Sequence, residues 1–111
     1  MATSHPIMMA AGPLKLWCIM VRDAETKRFP YSRIMVTTVW SSLIGSLVHP
    51  FNADRVTPKM SQGLIQVYHA LQHPGFDDSK LEQYVLQIND EFYPYFMSFI
   101  APGADGFPNI S

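Results

Sequence analysis

The sequence holds a single cysteine, Cys18, which excludes an internal disulfide framework and leaves the redox compartment open. Charge is also scarce: 15 % of the 111 residues carry it, against a usual share of about 25 %. A net charge of −1 offers no basic stripe to neutralise phosphates, so nucleic acid is not an expected partner. Between Arg33 and Asp54 no residue is charged. The chain has no Gly-rich phosphate loop, no G-x-S-x-G and no C-x-x-C, so no motif names a reaction. Residues 1–14 lack the basic n-region of a secretory signal and the arginines of a transit peptide. No cleavable address is expected, and residues 1–13 read as an N-terminal arm.

What the chain has in excess is apolar side chain. Hydrophobic residues make up 48 %, with seven Met, seven Phe, five Tyr and two Trp. One domain of this size buries only part of its surface, so some of the surplus is expected to face lipid or another protein. Charge is also unevenly placed. Lys15, Arg22, Lys27, Arg28 and Arg33 outnumber Asp23 and Glu25 before the uncharged stretch. After it, seven acids outnumber Arg55, Lys59 and Lys80. If the stretch crosses a bilayer, this asymmetry puts the N-terminal side in the cytoplasm or matrix.

The apolar segment 14–53 admits two readings. Leu14 to Val21 is broken only by Lys15, and its periodicity does not separate strand from helix. Arg22 to Ser32, with Pro30, reads as a solvated connection. The β-branched run Val36-Thr37-Thr38-Val39 favours an N-terminal β-hairpin pairing Leu14–Val21 with Ile34–Trp40, the basis of a small α+β alternative. The other reading is a helix, with a candidate single membrane span at 33–50. Twenty uncharged positions, Ile34 to Ala53, match the length needed to cross a core ~30 Å thick. The apolar part, though, ends at Val48 before His49-Pro50. On a helical wheel Thr38, Ser41, Ser42, Gly45, Ser46 and His49 fall opposite Val36, Val39, Trp40, Leu43, Ile44 and Leu47. Small residues four apart allow close helix–helix approach.

Residues 54–100 predict a helical hairpin. Thr57-Pro58 is an N-cap followed by a proline at the first helical position. Met60, Leu64, Val67, Tyr68 and Leu71 line one face, ending at His73-Pro74-Gly75. Ser79 and Glu82 form a capping-box pattern for a second helix, with Leu81, Tyr84, Val85, Ile88 and Phe92 as its buried stripe. Pro94 is expected to stop or kink it. The tail 101–111 reads as irregular.

Candidate chemistry is thin. His69 and His73, four apart, could face one metal, but a zinc site needs three or four ligands, and helix-end histidines are favourable anyway. Asp77-Asp78 and Asp90-Glu91 are adjacent acids pointing apart on a helix, not an acid–base pair. Cys18, between Trp17 and Ile19, reads as an inert buried thiol. His49-Pro50 reads as a helix end and not as a heme or pigment ligand. No catalytic, cofactor-binding or metal residue is therefore assigned.

The expected fold is mainly α: one short membrane-embedded or buried helix plus an αα-hairpin. The expected function is a non-catalytic accessory subunit that stabilises a larger, membrane-bound complex. Its partners would be other subunits and lipid. By class analogy with small one-span subunits of respiratory complexes, its place would be the mitochondrial inner membrane. The alternative is a soluble α+β protein-binding module that oligomerises through exposed Met and aromatic residues.

Overall fold

Leu14, Trp17, Val21 and Ala24 follow one another three or four residues apart, and all four are buried. That is the period of one helix face, and the segment is helical. The computed structural model describes residues 6–50 and 53–97, with side chains from Gly12 onward. Its four helices are α1 (Pro6–Glu25), α2 (Arg33–Leu47), α3 (Pro58–Gln72) and α4 (Leu81–Met97), the last preceded by a 3₁₀ turn, Asp78–Lys80.

The mainly helical expectation holds, but several of its details do not. No strand occurs among the described residues, so neither the N-terminal hairpin nor the α+β alternative stands. Residues 6–13, read as part of an arm, belong to α1 even though Pro13 lies within it. The β-branched run in α2 is helical because packing of its inner face overrides strand propensity: Val36 and Trp40 are fully buried. Thr37 Oγ1 donates to Arg33 O at 2.8 Å and Thr38 Oγ1 to Ile34 O at 2.9 Å, which gives both hydroxyls a partner within the helix.

The candidate span at 33–50 is also corrected. The 15 residues of α2 give a helix about 22 Å long, short of the ~30 Å hydrocarbon core. Its Val36, Trp40, Leu43 and Leu47 are enclosed by the chain's own atoms, each 0 % exposed. No helix among the described residues is long and apolar enough to cross a membrane.

Local signals explain where the helices begin and end. Ser32 accepts from Met35 N to cap α2, and Thr57 accepts from Met60 N to cap α3. α2 stops ahead of Pro50, since the residue before a proline avoids helical backbone. α1 closes with Lys27 in the left-handed region (φ 62°). There Arg28 N donates to Asp23 O at 2.8 Å and Lys27 N to Ala24 O at 3.3 Å, the pattern of a Schellman cap, here without the usual glycine. Pro94 neither stops nor ends α4, which continues to Met97. Phe92 and Phe96, on either side of it, are buried against Trp40 and hold the last turn in place. Residues 98–111, including the predicted tail 101–111, lie outside the described residues.

α2 packs between α1 and α3, and α1 packs between α2 and α4. The core sits where all four converge, and Trp40 is its centre. Its ring meets Trp17 of α1 edge-on at 4.9 Å, and Phe92 and Phe96 of α4 at 5.5 and 6.1 Å. Its Nε1 donates to Leu64 O of α3 at 2.9 Å. A helical carbonyl has a second lone pair to accept this bond, so the indole nitrogen is satisfied without interrupting α3. Trp17 Nε1 in turn donates to Asn89 Oδ1 of α4 at 3.2 Å.

Replacing Trp40 separates these contributions. Trp40→Ala should cost about 3–5 kcal/mol, the range for emptying a buried aromatic site. Trp40→Phe, which keeps ring packing and loses the bond to Leu64, should cost about 1–2 kcal/mol. Urea unfolding followed by circular dichroism checks both: equal losses would contradict the role given to ring packing, and no loss from Trp40→Phe the role given to the hydrogen bond.

Candidate interaction surface

The residues singled out for possible chemistry do not converge. His69 is exposed on α3, and His73 Nδ1 accepts from Gly75 N at 2.9 Å within its own turn. Among the described residues no group of three metal-ligating side chains occurs. Asp77 and Asp78 serve different partners. Asp77 Oδ1 accepts from Ser79 N at 3.0 Å and Ser79 Oγ at 2.7 Å, and these bonds hold its carboxyl below the usual range. Asp78 pairs with Arg33. Asp90 and Glu91 are exposed.

The predicted capping box does not form, because Asp77 takes the Ser79 N–H that Glu82 would have reached. Glu82 Oε2 is left buried with no hydrogen-bond partner.

Arg33 has a role that sequence reasoning missed. Its Nη1 donates to Leu71 O at 2.9 Å and His73 O at 3.0 Å, and its Nε lies 2.7 Å from Asp78 Oδ1. The guanidinium also lies 5.4 Å from the Phe76 ring centroid. Standing at the start of α2, it therefore caps the C-terminal end of α3 and pins the connection to α4. A cation is unfavourable at its own helix N-terminus but favourable at the carbonyl end of a neighbour. The local signal available was a basic residue at 33 and an acid five residues past His73, which specifies no pairing.

Cys18 is buried. Burial pushes its thiol up to about 11, with Arg22 opposing the shift, so little thiolate is present near neutral pH. Tyr31 donates to the Asp23 carboxylate. Loss of that bond on ionisation holds the phenol above its ordinary value, with desolvation and the Asp23 charge adding to it.

The open surface includes two grooves, of which the one between α2 and α3 is lined by Arg33, Ile34, Thr37, Thr38, Leu71 and Gln72. Between α3 and α4 a groove of about 500 Å³ is lined by Gly63, Val67, Ala70, Tyr84, Phe92 and Tyr95. Phe92 reaches across it to Gly63, where an added Cβ would meet the ring at 3.1 Å. The groove's lining also includes Lys59 and Glu91.

A further open feature is the outer face of α2. Thr38, Ser41, Ser42 and Gly45 are exposed there, together with Ile34 (78 %), Met35 (48 %) and, just past the helix, Val48 (41 %). A surface helix normally turns charge to water; past Arg33 this one has none. The hydroxyls of Thr37 and Thr38 are bonded to their own helix, so this face is less polar than its composition suggests.

Comparison with protein-family models, curated proteins and solved structures finds no match.

Two measurements test this description. Arg33→Met should cost about 1–3 kcal/mol by uncapping α3, with most of the loss from the carbonyl bonds and little from the exposed ion pair with Asp78. Arg33→Lys should recover only part, because an ammonium lacks the fork that serves carbonyls and carboxylate together; full recovery in urea unfolding would contradict this. For Cys18, a thiol at about 11 in the folded chain against an ordinary 9.0 contributes stability below pH 9. That stability is lost as pH rises toward 11. Cys18→Ala should therefore flatten the decline in unfolding midpoint between pH 8.5 and 10.5, and an unchanged slope would refute the assignment.

Proposed function

We propose that this chain is a non-catalytic accessory subunit of a larger protein assembly, which it joins through the outer face of α2. The observation that carries the proposal is that this face combines exposed Ile34 and Met35 with an absence of charge. The core does not need these residues: Val36, Trp40, Leu43 and Leu47 already fill the inner face. Exposed apolar side chains set on an uncharged helix face are a mark of an interaction site. The scattered titratable groups favour a binding role over catalysis, which needs an acid, base or nucleophile brought to one place. The reading does not include a membrane-spanning role, for which α2 is too short.

Sedimentation of a native extract containing the tagged full chain tests the proposal. The chain should migrate in a particle well above twice its own 12.6 kDa. The double variant Ser42→Arg/Gly45→Glu should leave that particle while remaining folded. A native chain found only at one or two times 12.6 kDa, or a variant that stays in the particle, would defeat the proposal.

A further inference from the structure

We draw no further inference here: the strongest candidate, the open groove between α3 and α4 lined by Gly63, Val67, Ala70, Tyr84, Phe92 and Tyr95, carries nothing because nothing in the structure shows what covers it.

Discussion

Trp40 holds this fold together. From one position on α2 it touches an indole of α1, two phenyl rings of α4 and a backbone carbonyl of α3. A chain of this size has a modest core, and concentrating aromatic area at one point lets four short helices share it. The hydrogen bond is needed beside the area, because a buried indole N–H without an acceptor would cost about 1–3 kcal/mol. Leu64 O meets that need and fixes the register of α2 against α3. Arg33 fixes the same register a second time, two turns away, by holding Leu71 O and His73 O. The two contacts agree on an antiparallel alignment, and neither would form if the other slipped.

Much of the helical half was legible beforehand. Thr57-Pro58 caps α3 and Met60, Leu64, Val67 and Leu71 form its buried stripe, because local chemistry and period point the same way there. In α4 the stripe Leu81, Val85, Ile88 and Phe92 is also buried, while Tyr84 is only partly so. The first half was harder for a definable reason. Leu14 to Val21 is apolar on nearly every side, so its period shows only when Ala24 is included, beyond the apolar run. In α2 the β-branched run argues for strand, and burial of Val36 and Trp40 against the other helices overrides it. Length alone suggested a bilayer crossing. The alternation of Val36, Trp40, Leu43 and Leu47 with small residues instead marks a helix that is half buried in protein. Part of the apolar surplus is internal, since Trp17, Trp40, Phe92 and Phe96 are all in the core.

The surface was less legible than the core. Arg33 stood in the sequence as a flanking charge, and nothing local indicated that it would reach 38 residues ahead to Leu71. The capping box failed because Asp77, two residues before Ser79, offered a better acceptor for the same N–H. Both are competitions between polar groups, and a pattern that scores one partner at a time misses them. The wheel that separated Thr38, Ser41, Ser42 and Gly45 from Val39, Leu43 and Leu47 did divide α2 into an outer and an inner side, with Leu43 and Leu47 fully enclosed and Val39 half-buried. What it could not assign was which side met protein and which met solvent.

The pair of indoles has a spectroscopic consequence. Trp17 and Trp40 are both fully enclosed, with ring centroids 4.9 Å apart at 63°. Transition dipoles at that separation and inclination couple as excitons, so the native protein carries an optical signature that neither tryptophan would give alone. Because one indole belongs to α1 and the other to α2, that signal reports how these two helices sit against each other, independently of total helix content.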